Sequence, residues 1–260
     1  MLAKLMKYEW KATWKLLIPI NLLIVVMTFF ACITVRIDFF NTDNDGIIFS
    51  AVMIILTYVA SMFVAMIGTA VFLVYRFYTS VYGDQGYLLH TLPVDKHYII
   101  FAKVLVSGAW VLISSILMNT SILFLFNEEE DIFSRFMDNM NVMVEWAGSK
   151  EVTGFAVVMT LIAFLVEILA RVLKITACIS LGQLSSNHKL LMAFAFYFAI
   201  YIVQQIVNGF YYALLGYINK MTGEWYYGKS WEYSLISGLI YVVVFYVVTW
   251  YVMERKLNLD

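Results

Sequence analysis

Charged residues are scarce in this chain: they make up 13% of its 260 residues, whereas hydrophobic residues make up 63%. A soluble domain has about 25% charged and about 45–50% apolar residues, so the composition excludes an ordinary soluble globular protein. Proline is nearly absent, since Pro19 and Pro93 are the only two, and long helices can therefore run with few interruptions. The sequence predicts an all-α polytopic membrane protein, with residues 1–260 forming one transmembrane domain.

The sequence also lacks an excess of basic residues, cysteines placed to form a disulfide, and residues spaced to bind a metal. The formal net charge is −1, which argues against a nucleic-acid partner. Cys32 and Cys178 lie in separate apolar runs without metal-type spacing, so neither a disulfide nor a metal site is expected. His90, His97 and His188 have no second ligand at a useful spacing. The chain is expected to have no catalytic residues and to bind no cofactor.

Six apolar runs are long enough to cross a bilayer, which takes about 20 residues of helix. They are Leu16–Val35, Ile47–Tyr75, Ile99–Phe126, Val152–Ile179, Leu190–Ile218 and Tyr233–Met253. Asn208 and Gly209 mark a candidate break within the fifth run.

Residues 1–15 are basic and amphipathic, with lysines on one helical face and leucine and tryptophan on the other. This pattern is typical of a helix lying in the membrane interface. It also fits a basic flank that orients the first span, and the two interpretations are compatible.

Lysine and arginine decide the orientation. Twelve of the 17 lie on the predicted side that holds both termini and the loop 76–98, and the loop 127–151 is acidic, with four consecutive acidic residues from Glu128. The sequence therefore predicts a multi-pass protein of the cell (plasma) membrane. Both termini and the loop 76–98 are cytoplasmic, and the loop 127–151 is extracytoplasmic.

One segment matches a phosphate-binding loop by its letters alone. Residues Gly223–Ser230 read GEWYYGKS, which fits the pattern G-x-x-x-x-G-K-[ST]. Such a loop needs a buried strand before it and small residues that let backbone amides wrap the phosphates. Here a polar loop precedes the motif and three aromatic residues fill it, so an aromatic belt at the outer interface is the better interpretation.

Glu167, Arg171 and Lys174 share one face of the predicted fourth span. Charges at membrane depth favour a functional site, and a Glu167–Arg171 pair would lower their cost. The alternative is that this is the cytoplasmic end of the helix, where long basic side chains reach the head groups. The second interpretation is favoured for the basic residues, and Glu167 stays the best intramembrane polar candidate.

Amide side chains interrupt two further apolar runs. Asn119 lies in the third span, and Gln204, Gln205 and Asn208 lie in the fifth. Such residues hold helices together or line a pathway. The sequence does not separate these roles, and helix packing is the default expectation.

The loop 76–98 contains a predicted short helix, Gln85–Leu92. Gly83 and Gly86 break the preceding helix, Asp84 can cap the new one, and Pro93 ends it. Large apolar residues follow the cap, at Tyr87, Leu88 and Leu89. They suit either docking into a groove on another protein or contact with the lipid head groups.

The order of these elements, with the segment GDQGYLLHTLPVDKHYIIFAK, resembles an ABC-2 type transporter permease subunit of the small bacterial kind. The likeness in topology covers the whole chain, and the specific motif is limited to Tyr82–Lys103. The family implies a dimer with a second permease copy or homologue, and separate cytoplasmic ATPase subunits that bind ATP and Mg. It implies export of a substrate between two permease subunits along spans two and five. The longer, acidic loop 127–151 departs from the family, which often places its outer elaboration between spans five and six.

By this resemblance the short helix is the element that couples ATPase closure to the membrane helices. The coupling residues would be Asp84, Gln85, Tyr87, Leu88, Leu89, His90 and Thr91. Residues 1–15 would correspond to the connecting helix of the family, which also contacts the ATPase. The alternative to an exporter is an accessory or sensory membrane protein that docks a cytoplasmic partner through the same loop without transporting anything.

Overall fold

The computed structural model describes residues 2–36, 44–83, 86, 95–125, 154–185, 188–222 and 230–255. All regular secondary structure in these ranges is helical, as the sequence predicts. The six helices are α1 (Leu2–Arg36), α2 (Asp45–Val81), α3 (Lys96–Leu125), α4 (Gly154–Gly182), α5 (Lys189–Thr222) and α6 (Ser230–Arg255). Each contains most or all of one predicted span, and no predicted span is split between two helices.

Five helices in the described ranges are long and apolar enough to cross a membrane, namely α1, α2, α3, α5 and α6. The structure is therefore that of a polytopic helical membrane protein. The remaining helix, α4, has the charged residues Glu167, Arg171 and Lys174 on one face. Its role as a sixth span, and the side of the membrane on which each terminus lies, stay predictions.

Two local expectations differ from the structure. Residues 2–15 form no separate interfacial helix but continue directly into the first span, and Pro19 lies inside the same helix. Contacts from Glu9 and Trp10 to α3 hold this segment in the bundle. The fifth span is not broken at Asn208 and Gly209 either, since α5 runs through both residues.

The helices α1 and α3 run parallel to each other. Four contacts follow one another in the same order along both helices: Glu9–Lys103, Trp10–Trp110, Asn21–Ser114 and Thr28–Ser121. Because α2 connects them, a parallel pair requires α2 to return across the bundle. This is the arrangement expected of three successive spans.

The second half of the bundle is built around α4, which packs on α5 and α6 and also contacts α2 and α3. Gly238 of α6 lies directly against α4. A Cβ atom at this position would meet Val166 Cγ1 at 2.9 Å, so only glycine fits without a shift of the neighbour. Of the three charged residues on α4, this packing buries Lys174.

Several predicted features lie outside the described residues. They are most of the short helix in the loop 76–98, the acidic loop 127–151, and the phosphate-loop-like segment except for Ser230. Their predicted structure and roles remain expectations.

Candidate functional site

A cavity of about 530 Å³ opens between α2, α3, α4 and α5, with Tyr241 of α6 at its edge. Its volume is in the range of about 300–1,000 Å³ that is usual for small-molecule sites. The polar or charged residues that line it are Thr69, Ser107, Ser114, Ser115, Glu167, Arg171, Lys174, Thr176, Tyr197, Tyr201, Gln204, Gln205, Asn208 and Tyr241. The bundle therefore contains a cavity whose wall is mainly apolar but carries many polar and charged side chains.

The charged wall of the cavity belongs to α4. Arg171 Nη2 lies 3.6 Å from Glu167 Oε1, and the two side chains are 69% and 38% exposed. Lys174 is buried, and its Nζ donates to Gln204 Oε1 of α5 at 3.0 Å. The same ammonium lies 4.9 Å from the centre of the Tyr197 ring. Helix spacing places the three charges on one face, and the packing of α5 on α4 buries only the last of them.

A second wall of the cavity is mainly apolar and belongs to α2. It consists of Met66, Ala70, Leu73 and Phe77, with Thr69 among them. Thr69 is buried, and its Oγ1 has no hydrogen-bond partner in the described part of the chain. A buried hydroxyl usually finds a partner, so the unpaired one at the cavity wall is free to bond a ligand or water.

The structure brings together most of the polar residues that the sequence singled out. Glu167 and Arg171 of the fourth span and Gln204, Gln205 and Asn208 of the fifth all line the one cavity. Asn208 also holds two helices together, because its Oδ1 accepts a hydrogen bond of 2.6 Å from the Tyr233 hydroxyl on α6. Gln204 and Asn208 thus bond to neighbouring helices, and all three amides line the cavity.

The structure shows where two further polar side chains lie. Lys174 does not extend to the head groups but is buried against Gln204, because α5 covers that part of α4. Asn119 does not line the cavity; its side-chain amide donates to the Ser115 carbonyl one turn earlier, at 2.8 Å. The exposed Arg171 remains compatible with either interpretation.

A second polar cluster joins the first three helices, and the sequence interpretation missed it. Glu9 of α1 accepts from Lys103 Nζ of α3 at 2.7 Å and from Arg76 Nη2 of α2 at 3.2 Å. Lys103 also donates to Ser80 Oγ at 2.6 Å. The available signal was a lone glutamate among the lysines of residues 1–15. The two basic partners had been counted only as charges that set the orientation.

The described ends of the loop 76–98 are tied to the second half of the bundle. The Tyr82 hydroxyl donates to Ser180 Oγ of α4 at 2.6 Å, and burial raises the pKa of this phenol, which therefore stays neutral. Lys96 Nζ donates to the Met253 carbonyl near the end of α6 at 2.9 Å. His97 is hydrogen-bonded to the Tyr246 hydroxyl.

The predicted coupling residues themselves lie outside the described residues. They are Asp84, Gln85, Tyr87, Leu88, Leu89, His90 and Thr91. Among the residues that the structure describes, no group of three or more histidine, cysteine or acidic side chains could hold a metal ion.

Comparisons of the chain with protein-family models, with curated proteins and with solved structures return no match. What the chain does must be inferred from its residues and their arrangement.

Proposed function

We propose that the chain is the membrane-spanning permease subunit of an ATP-driven exporter of the ABC-2 type, energised by a separate ATPase subunit. The observation that carries the proposal is the polar cavity enclosed by α2, α3, α4 and α5. Charged and amide side chains are costly at membrane depth and mark substrate or ion pathways. A bundle that only anchors another protein has no need for such a cavity.

The attachment of the loop 76–98 supports a mechanical role for it. Tyr82 ties its start to α4 and Lys96 ties its end to α6. A partner that moves this loop would therefore pull on the helix that carries Glu167, Arg171 and Lys174. A movement of this loop would thus be transmitted through α4 to the cavity.

In the proposed assembly the chain has no catalytic role. ATP and Mg are bound by the cytoplasmic ATPase subunits, which dock on the coupling residues of the loop 76–98. A second permease copy or homologue completes a dimer in the bilayer of a bacterial plasma membrane. Both termini lie on the cytoplasmic side.

The first experiment is the purification of the tagged chain from its native membrane in mild detergent. A soluble ATPase with a genuine phosphate-binding loop is expected to copurify. The double variant Leu88→Asp/Leu89→Asp should lose that partner, because aspartate removes the apolar contacts of the short helix. Leu184→Asp, in the turn between α4 and α5, is the matched control. This variant should retain the partner. Absence of any ATPase, even after crosslinking from Tyr87 or His90, would contradict the proposal.

The accessory or sensory role is the second candidate, and the anchored loop favours it equally. It predicts a partner without ATPase activity. It also predicts that substitutions at the cavity leave the activity of that partner unchanged. For the exporter, cavity variants should alter the rate of ATP hydrolysis in the purified complex.

A further inference from the structure

Lys174 is a buried cation that forms no ion pair with a described carboxylate. Its side chain is 8% exposed, its Nζ donates to the neutral amide of Gln204, and no described carboxylate forms an ion pair with it. The Tyr197 ring face adds an attraction, but it does not cancel the charge. Burying an ionised ammonium without a counter-charge is costly, so an anion in the adjoining cavity would be stabilised.

The net charge of the cavity lining also favours an anionic ligand. Its described lining contains one carboxylate, Glu167, and two cations, Arg171 and Lys174, which leaves a net charge of +1. Glu167 is engaged by Arg171 at 3.6 Å. The surplus positive charge therefore belongs to Lys174, the most buried of the three.

The rest of the cavity suits an apolar group. The part of the wall that α2 contributes is formed by Met66, Ala70, Leu73 and Phe77. Thr69, between them, has a buried hydroxyl without a described partner. A ligand with a charged end and an apolar end would place each against the matching wall.

We propose that the cavity binds an amphiphile with one anionic head group, with the head at Lys174 and the apolar tail along α2. Carboxylate and phosphate heads share the required chemistry, and such a molecule comes either from the bilayer as a lipid or from solution. The identification of this ligand as the transported substrate rests on the proposed export function. Binding itself does not.

The test measures binding to the purified chain in nanodiscs of phosphatidylcholine, without any ATPase. The probe is dansylundecanoic acid, and its uncharged methyl ester is the matched control ligand; empty discs give the partitioning into lipid. The acid is expected to bind the wild type at least about tenfold more tightly than the ester, since a hydrogen bond to a charged group is worth about that factor or more. Equal affinity for acid and ester, or no binding of the acid, would overturn the proposal.

Two substitutions should act in opposite directions. Lys174→Gln should weaken binding of the acid about tenfold or more, and Lys174→Arg should retain it. Glu167→Gln should strengthen binding, because it removes the negative charge and releases Arg171 toward the ligand. A variant that merely misfolds cannot bind more tightly, so this gain separates the site from a structural effect.

Lys220→Gln, at an exposed lysine of α5, is the control and should bind like the wild type. If Lys174→Gln bound like the wild type, the proposal would fail.

The source of the ligand is read from a second set of discs that contain phosphatidylglycerol. If a lipid occupies the site, this lipid will compete with the probe in the wild type and not in Lys174→Gln. If it does not compete, the site selects an amphiphile from solution. Because the chain is tested alone, a missing ATPase partner overturns the export function and leaves this result standing. Equal binding of acid and ester overturns only the ligand class.

Discussion

Glu9 and Lys103, 94 residues apart in the chain, form an ion pair of 2.7 Å between Oε1 and Nζ. Their side chains are 15% and 8% exposed. Arg76 of α2 binds the other carboxylate oxygen at 3.2 Å. One carboxylate thus binds two basic groups from two other helices. It is the point at which α1, α2 and α3 are joined by charge.

Replacing Glu9 by glutamine should destabilise the protein strongly. The glutamine removes the carboxylate that pairs with the buried Lys103, and loss of one partner of a buried pair costs about 3–5 kcal/mol. We expect a clear fall in the unfolding midpoint, measured by circular dichroism in detergent with increasing sodium dodecyl sulfate.

The control for this change is Lys11→Gln, on the same helix but exposed. It should shift the midpoint by less than about 0.5 kcal/mol, as surface substitutions usually do. If both variants had the same unfolding midpoint as the wild type, the ion cluster would have no stabilising role.

The parallel register of α1 and α3 predicts a specific crosslink. The hydroxyls of Thr28 and Ser121 are 2.6 Å apart, so cysteines at these positions should form a disulfide after mild oxidation. The background is Cys32→Ala/Cys178→Ala, which removes both native thiols. The pair Thr13→Cys/Ser121→Cys is the control and should stay reduced, because an antiparallel arrangement alone would bring it together. A shift in electrophoretic mobility reports the bond.

The tether at the start of the loop 76–98 predicts a smaller effect. Tyr82→Phe removes the hydrogen bond to Ser180 and should lower the free energy of unfolding by about 1 kcal/mol. Tyr75→Phe, at a residue that is 63% exposed, should leave it nearly unchanged. The same unfolding assay compares the two, and equal stability would show that the tether contributes nothing.

The close approach of α4 and α6 predicts that Gly238 does not tolerate a side chain. Valine there would collide with Val166, since even a Cβ would lie 2.9 Å from its Cγ1. Overpacking of this kind costs about 1–3 kcal/mol.

Gly209→Val is the matched control, because a Cβ at that position meets nothing within 4 Å. It should be much better tolerated in expression yield and in unfolding midpoint. The opposite ranking of the two variants would contradict the packing of α4 on α6.

The sequence predicts the helices well because long apolar runs and local breakers determine where they lie. The run Ile99–Phe126, for example, is recovered as α3 (Lys96–Leu125). The sequence also identifies Glu167 and Gln204 as candidates, since each is a polar residue in an apolar run. It does not show that Lys174 and Gln204 meet, because that contact depends on how α5 packs on α4. Glu9 was missed for the same reason: its partners lie far along the chain.

The order in which the chain is made has a consequence for the Glu9 cluster. The partners of Glu9 follow it by 67 and 94 residues, so α1 enters the bilayer with its carboxylate still without them. The cluster closes only when α3 has been synthesised and has come to lie beside α1. Until then the first helix depends on water or lipid head groups to solvate that charge. Completion of the third helix is thus the step of biogenesis at which the carboxylate of the first helix exchanges water or lipid for its partners in the protein.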